Sequence, residues 1–153
     1  MNKICSFSGH RKIEYNEQKR LYKALLEVIS ILAEEGFTEF RVGGALGFDT
    51  LSADAVLEVK KKHPQIDLVM YIPCLDQNKF YSPEQNKRYL THINAASKRL
   101  CMSEKYYNGC MQMRNREMIK GADCLVSYLR KDSGGTAFTV ARARENGLNI
   151  IEL

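Results

Sequence analysis

The sequence has 153 residues, 44% hydrophobic and 27% charged, a balance that suits one globular core and leaves little room for a second domain. Its formal net charge of +5 permits an anionic partner without requiring one. No apolar run is long enough to span a bilayer, and the first ten residues lack the charged-then-apolar pattern of a secretory leader. The five cysteines are scattered and never spaced C-x-x-C, which excludes a disulfide framework or zinc site and reads as reduced thiols. A cytoplasmic protein is expected, with no membrane association and no metal.

Lys3–Ser8 reads as a short apolar strand that breaks at Gly9. Glu17–Glu35 carries Leu21, Leu25, Val28, Ile29 and Leu32 at helical spacing, with Gly36 as the stop. Glu39–Val42 is a strand ending at Gly43-Gly44. Asp49 or Thr50 is placed to cap the next helix, whose Leu51, Ala55, Val56 and Val59 share one face. Lys60-Lys61-Lys62 sets cations at that helix's C-terminal end, where they complement its dipole. Ile66–Ile72 is strongly β-prone and ends at Pro73. Cys74–Tyr81 is the longest irregular stretch. Ser82-Pro83-Glu84-Gln85 then opens a helix with a cap, a proline at the first helical position and a glutamine placed for a capping box. Arg99–Ser103 is a weak strand, residues Cys110 to Lys120 are helical up to Gly121, and Cys124–Leu129 is an apolar strand. Gly135–Asn146 is helical up to Gly147, and Leu148–Ile151 is the last strand.

Six strands alternating with five helices predict right-handed βαβ crossovers. The fold class is therefore α/β: one Rossmann-like domain over residues 1–153, a mainly parallel doubly wound sheet flanked by helices. Ligands of such sheets bind outside the carboxyl ends of the strands. Two of the loops there are glycine-rich at a strand-to-helix junction. One is Gly43-Gly44-Ala45-Leu46-Gly47-Phe48-Asp49, the other Ser133-Gly134-Gly135-Thr136. A helix N-terminus leaves N–H groups unpaired and carries partial positive charge. Glycine lets that backbone approach an anion closely, and Thr136 adds a hydroxyl donor. Each loop alone is equally a turn; two on one sheet edge argue for phosphate. The first loop lacks full G-x-G-x-x-G spacing and follows the second strand, which argues against a dehydrogenase.

Gly9-His10-Arg11 ends the first strand. His10 is a candidate base or hydrogen-bond donor, and Arg11 a candidate anion clamp. Arg114 and Asn115, on the helix before the fifth strand, either reach a phosphate or base edge or lie on a solvated face. Asp49, Asp76, Glu117 and Asp132 are the carboxylates of interest, but nothing pairs two of them for acid/base work, so no catalytic residue emerges. Met111, Met113 and Met118 read as packing. His63 and His92 have no partner at metal-ligand spacing.

Five segments together resemble the DUF1273 (YpsA-like) family of the SLOG superfamily, over nearly the whole chain. They are Gly9-His10-Arg11, the G-G-A-L-G-F-D loop with its alanine-containing helix, Ile72-Pro73, Gly109-Cys110-Met111 with Arg114-Asn115, and the closing S-G-G-T. DNA-processing protein A and the Lonely Guy proteins belong to the same superfamily. The resemblance implies a bacterial protein with a Rossmann-like fold and a pocket for a nucleotide or nucleotide-derived ligand. Gly43, Gly44, Gly47 and Asp49 would line the first loop of that pocket, and Gly134, Gly135 and Thr136 the second, beside Ser133. Gly9, His10, Arg11, Arg114 and Asn115 would meet the rest of the ligand. Lonely Guy proteins are phosphoribohydrolases with the motif P-G-G-x-G-T-x-x-E. Here Ser133 replaces the proline, Thr136 follows the glycine pair directly, and no glutamate occurs in Ala137–Val140. An N-glycosidase would have to use Asp49 or Glu117 instead. DNA-processing protein A binds single-stranded DNA, a third expectation, for which Tyr106-Tyr107 is the nearest thing to a stacking platform. The resemblance also implies a homodimer.

Overall fold

Successive residues of the first strand, Cys5, Ser6 and Phe7, are all buried. Burial without alternation means both faces of the sheet are covered, as in α/β proteins. The computed structural model describes residues 2–153. In chain order the elements are β1 (Lys3–Gly9), α1 (Tyr15–Glu34), β2 (Phe37–Val42), α2 (Phe48–Lys60), β3 (Asp67–Ile72) and α3 (Pro83–Ala95). They continue with β4 (Lys98–Cys101), α4 (Cys110–Ile119), β5 (Cys124–Tyr128), α5 (Gly135–Glu145) and β6 (Asn149–Glu152). The sheet order is β4-β3-β2-β1-β5-β6, and every adjacent pair is parallel. Among the described residues no helix is long and apolar enough to cross a membrane.

Helices α1, α2 and α3 pack on one another in turn, while α4 packs on α5. The main core lies under the first group: Phe7, Phe40, Phe48, Leu21 and Leu25 are inaccessible or nearly so. Each such side chain contributes roughly 1.5–3 kcal/mol on burial. A smaller core joins Ile119, Leu125, Val140 and Ala143 under α5. Between α2 and α3 lies a part-buried polar tie: His92 Nε2 is 2.6 Å from Asp54 Oδ1, and Arg88 pairs with the same carboxylate.

Local signals explain most element boundaries. At α3 the Gln85 N–H donates to Ser82 Oγ at 3.2 Å and the Ser82 N–H donates to Gln85 Oε1 at 2.8 Å, the reciprocal box expected there. At α2 the structure differs. The helix begins at Phe48 after Gly47, and neither Asp49 nor Thr50 acts as its cap. The Asp49 carboxylate instead accepts from the Ala45 N–H at 3.1 Å, folding the preceding loop back on the helix.

From β1 the chain steps outward through β2, β3 and β4, then crosses back to β5 on the other side of β1. The loops leaving β1 and β5 therefore diverge, and a crevice opens between them at the carboxyl edge of the sheet.

Candidate functional site

That crevice encloses about 310 Å3 and is lined by His10 and Arg11 after β1, Asp49 of α2, Asn115 of α4, and Lys131 and Ser133–Thr136 before and at the start of α5. Segments distant in the chain meet here because the β1–β5 pairing brings Gly9 beside Tyr128.

The two glycine loops turn out to be different devices. At the start of α5, Gly134 has φ +97°, a left-handed backbone that other residues rarely adopt, and no atom would crowd a side chain on it. Gly135 is equally open: an added Cβ would meet only Asn115 Nδ2, at 3.8 Å. The first turn of α5 holds no acidic residue, so its positive end is not neutralised from within the helix. The bare backbone here faces space.

In the first loop the space is filled by protein. A Cβ on Gly43 would fall 2.5 Å from Arg114 Nη1 and 2.9 Å from Asp49 Oδ2. One on Gly44, at φ +77°, would fall 2.9 Å from Gln77 Oε1 and 3.0 Å from Tyr89. One on Gly47 would strike the Arg11 carbonyl, and one on Gly9 the Phe48 ring. The loop's carbonyls are also taken: Gln77 Nε2 donates to Gly43 O at 3.1 Å, Tyr81 Oη to Gly44 O at 2.9 Å, and Arg114 to Gly43 O as well. Gly43, Gly44 and Gly47 were expected to approach a phosphate; protein already packs on each, Arg114 and Asp49 on Gly43, Gln77 and Tyr89 on Gly44, and the Arg11 and His10 backbone on Gly47. Ala45 and Asp49 are what this loop gives to the crevice.

Arg114 was expected to reach a ligand or solvent. It is only 4% exposed; its Nη1 donates to the Gly43 and Tyr71 carbonyls, and the residue still lines the crevice. Burial pulls its pKa down, while nearby Asp49 opposes that shift. Its Nε donates to Asn115 Oδ1 at 2.8 Å, which leaves Asn115 Nδ2, a donor, on the side of Gly135. Asp49 is 7% exposed. Burial pushes its pKa up against the pull of Arg114, the Ala45 N–H and Arg11. Among the described residues it is the sole carboxylate lining this crevice. Glu117 lies elsewhere, paired with Lys120 at 3.0 Å.

His10 Nε2 accepts the Arg130 backbone N–H at 2.7 Å. The lone pair must therefore be on Nε2, which makes the ring neutral with its proton on Nδ1. Burial lowers its pKa, and the neighbouring Lys131 and Arg130 charges lower it further. Arg11 and Lys131 take part in none of the ion pairs among the described residues. Lys131 was not singled out from sequence, although a lysine two positions before S-G-G-T was there to be noticed.

A second cavity of about 530 Å3 adjoins the first and shares Arg11, Ala45 and Met111 with it. Its walls include Leu46, Pro73, Phe80, Tyr81 and Tyr106. Cys74 also borders it, but burial pushes that thiol's pKa up to about 12, so it is no nucleophile near neutral pH.

Residues 5–149 match the model of the YspA SLOG family (YpsA). The UPF0398 protein BH1768 of Halalkalibacterium halodurans is 30% identical over 130 residues, which cover 84% of this chain and 66% of that protein. The chain thus spans just under two thirds of that relative's length. The SPbeta prophage-derived protein YoqJ of Bacillus subtilis is 29% identical over 130 residues, 76% of each chain. Among solved structures, DNA processing protein A of Streptococcus pneumoniae superposes with a TM-score of 0.71 at 20% identity, covering 98% of this chain and 50% of that one. DNA processing protein A of Helicobacter pylori, described for its single-stranded DNA binding mode, gives 0.69 at 21% identity, covering 98% and 64%. At such identities the likeness is one of fold. The match to the family model, running from β1 to the start of β6, establishes that the chain belongs to the YspA SLOG family.

Proposed function

We propose that the crevice binds the phosphate of a nucleotide or nucleotide-derived ligand. The observation that carries this reading is the open N-terminus of α5, bare at Gly134 and Gly135, lining one crevice together with Arg11 and Lys131, which make no ion pair among the described residues. Backbone N–H groups, the helix dipole, two cations and the Asn115 amide all present donors or positive charge to one volume. Against the Asp49 carboxylate the crevice sets Arg11, Arg114 and Lys131, an excess of positive charge that attracts an anion. Titration calorimetry with AMP tests the reading. Arg11→Ala and Lys131→Ala should each weaken binding severalfold or more, and affinity indifferent to both changes would refute the site. The single-stranded DNA bound by the Helicobacter pylori protein offers the same phosphate chemistry, so a short oligo-dT belongs in the same panel; its affinity should fall steeply with salt if phosphates carry it.

A second reading, hydrolysis of the N-glycosidic bond, is favoured by one observation. Asp49 is a carboxylate at the crevice wall whose pKa burial has raised, the condition in which a carboxyl can hold a proton for a leaving group. Its test is release of free adenine from AMP. Turnover lost in Asp49→Asn supports hydrolysis, and no release from the wild type leaves a binding protein.

A further inference from the structure

The second cavity has a shape and chemistry that a phosphate site alone does not require. It opens beside the crevice through the shared wall of Arg11, Ala45 and Met111. Phe80 at 90% and Tyr106 at 62% exposed stand at it. Large aromatic side chains held in water are costly and mark binding surfaces when they cluster on a rigid frame. The frame here is rigid. The 73–82 loop is tied down by the Gln77 and Tyr81 bonds to the Gly43 and Gly44 carbonyls, and the Leu75 N–H donates to Ser103 O at 3.2 Å. Tyr81 is set edge-on against Tyr89, with ring centroids 5.6 Å apart. Phe80 has Lys79 Nζ over it at 5.5 Å and is otherwise open. The cavity is thus preformed, walled by Phe80, Tyr81 and Tyr106 together with Asp76, Gln77 and Lys79, and continuous with the crevice.

We infer that this second cavity is a nucleobase compartment, taking a purine against Phe80 and Tyr106 while the 5′-phosphate of the same molecule rests on α5. The inference rests on the phosphate reading above and names the ligand class: a purine nucleoside phosphate, rather than a sugar phosphate or inorganic polyphosphate. Aromatic walls offer stacking to any base, and a purine's larger ring surface is favoured over a pyrimidine's. Arg11, at the junction of the two volumes, is placed to meet the phosphate-proximal part of the ligand. The combined volume lies within the range of ordinary small-ligand sites.

The test compares AMP, UMP and ribose 5-phosphate by calorimetry on the wild-type chain and on Phe80→Ala, Tyr106→Ala and Gly135→Asp. The two aromatic side chains are exposed, so their removal leaves the fold intact, checked by an unchanged melting temperature. AMP should bind about tenfold or more tighter than ribose 5-phosphate, with UMP between them. Each aromatic variant should lower AMP affinity about fivefold or more, the range of base–aromatic stacking, and leave ribose 5-phosphate unaffected. Equal affinities for AMP and ribose 5-phosphate, or aromatic variants that bind AMP as the wild type does, would overturn the base compartment while leaving the phosphate site standing. AMP binding that survives Gly135→Asp but is lost in Phe80→Ala would overturn the phosphate reading instead, and no binding of any of the three would overturn both.

Discussion

Replacing Gly135 by aspartate separates the stability of α5 from its function, because the two should move in opposite directions. A Cβ at this position meets nothing closer than Asn115 Nδ2 at 3.8 Å, and the backbone there is not left-handed. The variant therefore folds without strain. Its carboxylate joins a first helical turn that has no acid of its own, and the helix dipole then contributes about 0.3–1 kcal/mol of stability. Loss of glycine from the helix adds a few tenths more, roughly. For a domain of this size about 1 kcal/mol raises the melting temperature by about 2–4 °C. Against a bound phosphate at about 4 Å the same carboxylate is repulsive by up to about 4 kcal/mol at an effective dielectric of about 20. Allowing half of that for solvent screening, AMP affinity should fall about thirtyfold to a thousandfold. Gly135→Asn, of the same size but neutral, should lose far less. Melting curves and calorimetry on the three proteins read both effects. An aspartate variant that is more stable yet binds AMP within threefold of the wild type would refute the placement of phosphate on α5.

Three further outcomes follow from the site. Gly44→Ala should destabilise the fold by about 2 kcal/mol or more, since it adds left-handed strain to contacts at 2.9 and 3.0 Å, whereas Gly135→Ala should be neutral or slightly stabilising; urea unfolding of both checks the contrast. Arg114→Met should cost about 3–5 kcal/mol by taking from the buried Asp49 carboxylate the stronger of its two nearby cations and leaving two carbonyls without their donor, and adding Asp49→Asn should recover part of the loss. His10 should titrate below 6.5 in the folded chain. Because the folded state prefers the neutral ring, its contribution to stability is full above pH 6.5 and is lost as pH falls through the folded pKa, so the acid-side loss of stability should shrink in His10→Asn.

The fold was legible because each element carries its own local signal. The helical spacing of Leu21, Leu25 and Ile29, the Ser82–Gln85 box and the glycine stops act within a few residues, and these stretches formed as read. Alternation of strands and helices pointed to a parallel sheet with its site at the carboxyl edge, but the strand order that puts β5 beside β1 came only with the structure. The division of labour between the glycine loops was not legible, because contacts far apart in the chain decide it. Arg114 reaches Gly43 across 71 positions and Gln77 reaches it across 34. A glycine needed by a protein side chain and a glycine needed by a ligand look alike in sequence. Asp49 misled for a related reason: its position fits a cap, but the Ala45 N–H and burial beside Arg114 claim its carboxylate. Phe80 lay in an irregular stretch with no periodicity to say which way it faces, so its exposure at the second cavity needed the tertiary structure.

The most direct test of the central claim is a phosphate titration followed by amide resonances in a 1H–15N spectrum. Inorganic pyrophosphate is the simplest probe, since it carries the anion without a base. The account predicts that the amides of Gly134, Gly135 and Thr136 shift most, with Arg11 and Lys131 next, while those of Gly43, Gly44 and Gly47 move little because protein already packs on them. Large shifts confined to Gly43–Gly47, with the start of α5 unmoved, would contradict it.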